Sequence, residues 1–380
     1  MKVLKIFWKS LKEQVRDSVT LGLSLVIGPF FILLYWLMIP SGSTTYDVLI
    51  QNLDLGSKGQ EVTVLLETLV YPSGDPLLKV TTVSSQARGE DQLRDRDAEV
   101  LLIIPEDFSS KLQIISQGDF QDPAQVTLVG DLTNFYYAIG AVMAGSVIDE
   151  FVQEEIGEIR PIQYNEIALG ASAGRSEFDL YIPGILIVSV VMLVFIVSMT
   201  ITYEVEAGTL RRLQMTSMKA SDLLIGISLP TILWGIISLL LTLLVALALG
   251  FTSQGSIWTA LLIGGITAVA VVGMGLIVAA FSKSVSQAFI IANFPLIFFM
   301  FFSGAVYPIP RIILFQVAGV NISIYDILPP THAVVALNKI LTLGSGLGDL
   351  LYEIISLLVL SLAYYLIGIW FFQRRHLRLR

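Results

Sequence analysis

The 380-residue chain has no cysteine and only two histidines, His332 and His376. Without cysteine no disulfide holds any outer segment together, and redox chemistry says nothing about compartment. HExxH, GxSxG and clusters of ligands at metal spacing are all missing, so hydrolase and metalloenzyme readings have no residues to rest on. A GxxxxGK[ST] phosphate loop is missing too, and any nucleotide-driven work therefore needs a second chain. Charge is equally scarce. Only 14% of the residues are charged and 54% are hydrophobic, against roughly 25% charged in an ordinary soluble protein.

What the sequence has in quantity is long apolar runs, at residues 19–39, 181–202, 223–250, 257–281, 285–306 and 350–372. A helix of about 20 residues, rising about 1.5 Å per residue, covers the roughly 30 Å hydrocarbon core of a bilayer. The expected fold is an α-helical polytopic membrane protein with six transmembrane helices. Thirteen of the 23 basic residues flank these runs on one side: Lys2, Lys5, Lys9, Lys12 and Arg16; Arg211, Arg212 and Lys219; Lys283; and Arg374, Arg375, Arg378 and Arg380. Positive residues near span ends stay in the cytoplasm, so both termini are expected there, in a multi-pass protein of the cell membrane.

Residues 41–180 differ in character, with 23 acids and 8 bases, a net charge of −15. The overall charge of −8 is the average of this acidic segment and a basic inner face. That balance argues against nucleic acid as the main partner and suits anionic lipid head groups on the inner side. Short stretches rich in Val, Leu and Ile, at 46–52, 77–83, 98–105 and 124–131, read as strands, with helical patterns between them. An extracytoplasmic α/β domain between spans 1 and 2 is expected. Residues 135–148 are too few to span, and acids follow them at once. This segment reads as an external helix.

At the start, residues 1–18 read as a cytoplasmic amphipathic interface helix, with Leu4, Phe7, Trp8, Leu11 and Val15 at helical spacing among the bases. The apolar run that follows is too long for a signal peptide and lacks a small-x-small cleavage pattern. Residues 373–380 form a basic cytoplasmic tail. Residues 307–346 are apolar but interrupted by Pro308, Pro310, Pro329 and Pro330. A re-entrant external segment built as a pair of short helices is expected there. His332 lies within it, and local hydrogen bonding explains this residue better than catalysis does. Gly264, Gly265, Gly273 and Gly275 read as close helix packing.

The stretch YEVEAGTLRRLQMTSMKASD, residues 203–222, places acids and bases between two of the most apolar runs. Spans on both sides put it in the cytoplasm. Thr209 is positioned to cap a short helix whose Leu210, Leu213 and Met215 share a face. Such a helix either rests on lipid head groups or fits into a partner's groove.

In order and spacing, the chain resembles the membrane subunits of ATP-binding-cassette exporters of the ABC-2 type, in the branch with a large external domain. The resemblance covers nearly the whole chain. It rests on Tyr181-Ile182-Pro183-Gly184 at the second span and on the E-x-E-x-G-T-x-x-x-L segment Glu204, Glu206, Gly208, Thr209 and Leu213. Ser303-Gly304, Tyr307-Pro308 and Pro329 complete it.

The resemblance implies a transport subunit that is not itself an enzyme. Its partners would be cytoplasmic ABC ATPase subunits and a second membrane subunit, identical or different. ATP and Mg would be bound by the ATPase, and no cofactor by this chain. Residues 204–222 would be the coupling helix, with Glu204, Glu206, Gly208, Thr209, Arg211, Arg212 and Leu213 carried over. The proline often found near its end is replaced by the run Met215-Thr216-Ser217-Met218-Lys219. The second and fifth spans would line the path of a hydrophobic or amphiphilic substrate, a lipid or a drug. Candidates along that path are Met192, Phe195, Met199, Asn293, Phe298, Phe299, Phe302 and Ser303. Two other readings stand beside this one: a surface receptor or anchor acting through its external domain, and an ion-coupled transporter. The latter is disfavoured because the spans carry almost no acids.

Overall fold

A computed structural model describes residues 2–38, 44–71, 74–95, 97–117, 123–132, 134–156, 177–210, 220–307, 309, 312–317 and 320–377. The chain divides into two compact units, one of Pro40–Ile167 and one of Met1–Ile39 with Ala168–Arg380.

The smaller unit is an α/β domain. Strands β1 (Tyr46–Asn52), β2 (Leu78–Thr82), β3 (Val100–Ile104) and β4 (Thr127–Val129) form one sheet in the order β2-β1-β3-β4. The first three are parallel, and β4 runs antiparallel to β3. Connections between parallel strands need crossover helices, which here are α3 (Lys58–Glu67) and α4 (Gln86–Arg94). Helices α5 (Phe108–Ser116) and α6 (Phe135–Ile156) follow. Val48, Ile50, Val100, Leu102 and Ile104 point to one face, where Val62, Leu66, Phe108, Leu112 and Ala144 from α3, α5 and α6 cover them. Leu49 and Leu101 point to the other face, where Leu93 of α4 packs. Burial on both faces explains why VLLII reads as an unbroken apolar run rather than an alternating one.

Helices make up the larger unit. After α1 (Lys2–Arg16) and α2 (Ser18–Met38) come α7 (Glu177–Val191) and α8 (Leu193–Glu206), which together form one apolar span over Phe178–Glu206. Then follow α9 (Ala220–Ala248), α10 (Ile257–Phe281), α11 (Val285–Phe301), α12 (Pro329–Leu337) and α13 (Leu351–Phe372). Among the described residues, five helices are long and apolar enough to cross a membrane. The chain is a polytopic helical membrane protein. Helix α11, expected as a span over 285–306, has 17 residues, about 25 Å at 1.5 Å per residue. It stops at Phe302 because Gly304 takes a left-handed φ of 78°.

Three expectations change. Residues 307–346 do not begin with a helix: Ile313–Val317 (β5) and Val320–Ser323 (β6) pair as an antiparallel hairpin. The β-branched residues of this stretch favour strands. Pro329 and Pro330 open α12 instead of breaking it, at positions whose N–H groups need no partner. Residues 204–222 are not a single helix either. Glu204 and Glu206 belong to the last turn of α8, and the segment's last three residues belong to α9.

Helix α1 is amphipathic with its faces reversed relative to a soluble protein. Ile6, Ser10 and Gln14 are buried, while Leu4, Trp8 and Val15 are exposed at 59%, 54% and 50%. Ile6 packs on Gly226 of α9, where a Cβ would have no room, and Gln14 Nε2 donates to Thr231 Oγ1 at 3.1 Å.

Candidate functional site

The charged end of α8 gathers three elements. Its last turn is closed by Gly208 in the left-handed region (φ 68°), whose N–H donates to the Val205 carbonyl. Glycine pays no Cβ penalty there. Two acids sit just before this turn and face different neighbours.

Glu204 is buried, at 5% exposure. Its Oε1 accepts from Lys9 Nζ of α1 at 2.9 Å, and the Thr209 hydroxyl donates to its other oxygen. That hydroxyl also donates to the Glu204 carbonyl at 2.9 Å, so Thr209 ties its own turn back onto α8. Burial pulls the Lys9 ammonium down, but the hydrogen bond and charge of Glu204, with Glu13 adding to them, hold it above its ordinary value.

Glu206 is exposed and reaches the start of α11, where its Oε2 accepts from the Val285 N–H at 2.8 Å. A carboxylate at a helix N-terminus satisfies an orphan donor and faces the positive end of the helix dipole. Ser284 caps the same end, accepting from the Gln287 N–H at 3.3 Å. The two acids of the E-x-E pair thus connect the end of the second span to α1 and to α11. Arg211, Arg212 and Leu213 lie outside the described residues. A cavity of about 360 Å³ beside this junction is lined by Gln14, Thr20, Met199, Tyr203 and Glu204 among others.

Sequence reasoning named Lys9 only as a charge that orients the chain. Its role at Glu204 was signalled by Ile6, Ser10 and Gln14, four residues apart, a polar-tinged stripe opposite the apolar one.

The path candidates separate into groups. Helices α8 and α11 pack together, and Phe195 faces Phe289 with centroids 5.1 Å apart. Asn293 donates to the carbonyl of Phe289 in its own helix at 2.8 Å, not across to another helix. Met192 sits at the tight turn joining α7 and α8, and Met199 lines the cavity near Glu204. Phe298 stacks on Phe302 at 5.3 Å, and Phe302 on Tyr325 at 6.1 Å. Phe299 points the other way, buried against Tyr364 of α13. The buried Ser303 donates to the Phe299 carbonyl. Phe289, Ile290, Phe294, Ile297, Phe298 and Phe301 leave one flank of α11 exposed.

Beyond these, His332 joins a buried polar cluster. Its Nδ1 lies 2.9 Å from Glu353 Oε2 and its Nε2 3.0 Å from the Asp326 carbonyl, while Lys339 Nζ donates to Glu353 Oε1 at 3.1 Å.

Comparison with known families shows that residues 18–370 fit the family described as ABC-2 family transporter protein. Comparison with curated proteins gives no match.

Proposed function

The chain belongs to the ABC-2 transporter family, and from this premise we propose that it is the membrane subunit of an ATP-driven exporter. Its cargo would be a hydrophobic or amphiphilic compound, a lipid or a drug. As a transport subunit of that family it works with ABC ATPase subunits in a membrane. Nucleotide and Mg would sit on the partner ATPase, outside this chain. The cell membrane is its proposed location, with both termini in the cytoplasm.

The observation that carries this reading is the junction at the end of α8. A chain with so few charges places Glu204 and Glu206 side by side and joins them to α1 and α11. A displacement of the Gly208 turn would therefore be felt at once by the second span, by the surface helix and by the start of α11. Residues 204–222 are proposed as the seat of the ATPase, with Arg211 and Arg212 meeting it. The exposed aromatic flank of α11 supports a second membrane subunit, since a continuous apolar face of this size seeks either lipid or a matching face. Phe195, Phe298 and Phe302 would then line the shared path.

The test is a chain carrying Glu206→Ala and Arg211→Ala, purified with its ATPase. Retained ATP hydrolysis with lost transport is the expected outcome. Undiminished co-purification and transport would overturn the docking role.

A further inference from the structure

A cavity in the helical unit lies at the end of the bundle opposite Glu204. The separation along α7 and α8 is more than 20 residues, or about 30 Å. Its volume is about 460 Å³ and it is bounded by the start of α7, the end of α11 and α12. That volume falls in the range of small-molecule sites, about 300–1,000 Å³. Neither the junction at α8 nor the packing of the bundle makes use of it.

Two features of its wall point to one ligand chemistry. The first is aromatic: Tyr181, Phe302, Tyr307 and Tyr325 all line it. Phe302 and Tyr325 lie nearly parallel, with 23° between ring planes, and Phe298 extends the stack along α11. Ring faces carry negative electrostatic potential and attract cations, quaternary ammonium groups above all.

The second feature is the charge balance. Lys339 also lines the cavity, but its ammonium is occupied by Glu353 Oε1 at 3.1 Å and the Asp349 carbonyl at 3.3 Å. Asp326 is 92% buried, and one carboxylate oxygen accepts the Ser323 N–H at 2.8 Å, closing the cap of the short helix Ile324–Ile327. Among the described residues no basic side chain pairs with Asp326. A buried carboxylate that none of the described basic side chains pairs with, set among ring faces, is complementary to a positive charge. Val334, Val335 and Leu343 supply an apolar wall for the rest of the ligand.

We infer that this cavity is a binding site for lipophilic organic cations, with Asp326 as counter-ion and Tyr181, Phe302, Tyr307 and Tyr325 as the ring cage. The inference rests on the exporter reading only in treating such a cation as cargo; the site itself follows from the cavity.

Equilibrium dialysis of the purified full chain in detergent, against empty micelles, tests it without ATPase or nucleotide. Tetraphenylphosphonium and tetraphenylborate serve as probes because they match in size and differ in the sign of their charge. Saturable binding of the phosphonium and none of the borate is expected. Asp326→Asn, which keeps an acceptor for the Ser323 N–H, is expected to weaken binding at least tenfold. Tyr307 stands at the exposed rim, so Tyr307→Ala keeps the test informative should the first variant misfold. It is expected to weaken binding, while Tyr307→Phe retains it.

Displacement by dodecyltrimethylammonium alone would identify a free organic cation as the ligand, and displacement by dodecylphosphocholine as well a lipid head group; both support the site. Borate binding as tight as the phosphonium, no saturable binding, or binding unchanged by Asp326→Asn and Tyr307→Ala would each overturn it. A failure here, with Glu206→Ala and Arg211→Ala still uncoupling transport, would leave the exporter reading intact.

Discussion

Lys9 and Glu204, 195 positions apart in the chain, meet with Nζ 2.9 Å from Oε1. One belongs to the first helix and is half exposed; the other closes the second span and is buried. The pair therefore links α1 to the turn at Gly208.

Because solvent screens Lys9, the coupling energy of the pair in a double-mutant cycle should be modest, about 0.5–1 kcal/mol. Lys9→Met alone should cost more than Lys9→Met with Glu204→Gln, since it strands a buried carboxylate. The ammonium is held above its ordinary value, so its stabilisation is complete below about pH 10.4 and is lost only as pH rises through the folded value. Thermal unfolding should show the same Lys9→Met deficit at pH 6 as at pH 9. A deficit that changes steeply in that window would refute the assignment.

Helices α10 and α13 approach backbone to backbone at Gly273. A Cβ there would stand 2.5 Å from the Tyr364 carbonyl carbon and the Tyr365 nitrogen, whereas at Gly265 the nearest atom is Ile236 Cδ1 at 3.4 Å. Gly273→Ala should destabilise by about 1–3 kcal/mol, the usual cost of overpacking. Gly265→Ala should be close to neutral. Detergent-solubilised thermal midpoints compare the two directly.

In the α/β domain the carboxyl pKa values of Asp54 and Glu99 are shifted in opposite senses. Burial pushes Asp54 up, but the Ser109 hydroxyl and the N–H groups of Ser109 and Gly59 donate to it and bring it below its ordinary value. Its stabilisation is present above about pH 3.9 and is lost as pH falls through the folded value. Glu99 is raised by burial, with the charge of Asp47 adding to the effect although the Asp47 N–H donates to it. Its contribution is present below about pH 4.3 and is lost as pH rises through the folded value. At pH 7, Asp54→Asn should loosen strand β1 by about 1–2 kcal/mol, and Glu99→Gln should tighten it. Amide exchange at β1 and β3 in the full chain reads both signs, and both differences should shrink near pH 3.5.

Glu353 is buried with His332 and Lys339 as its partners. Removing His332 leaves its Oε2 without that partner and leaves the Asp326 carbonyl without the ring nitrogen. His332→Ala should cost about 1–3 kcal/mol. His332→Gln, which can still donate to one of the two, should recover part of that loss in the same unfolding measurement.

The spans and the strands of the α/β domain were legible because each is a run whose period or length admits one reading. Tyr46–Asn52 was found to the residue, since polar and turn residues bound it. The inner side of α1 was not legible by the same means. Its apolar stripe is the obvious one, and only a lipid surroundings turns that stripe outward and lets Ser10 and Gln14 face the bundle. The hairpin at Ile313–Ser323 was hidden by nearby prolines that suggested broken helices, although Ile313, Val317, Val320 and Ile322 are β-branched. At the α8 junction, the E-x-E pair marked the place, but the partners of each acid come from remote parts of the chain. Sequence spacing carries no trace of Val285 as the group that meets Glu206.

Helix α1 is synthesised well before residues that hold it. Gln14 finds Thr231 only 217 positions further on, and Ile6 must wait for Gly226. At about 5–20 residues per second, that is roughly 10–40 s of translation. During this interval the exposed Leu4, Trp8 and Val15 would find a matching apolar surface in a lipid bilayer. The reversed faces of α1 would then impose an order on biogenesis: lipid contact for its apolar stripe first, and burial of Ile6 and Gln14 only when the third apolar helix arrives beside it.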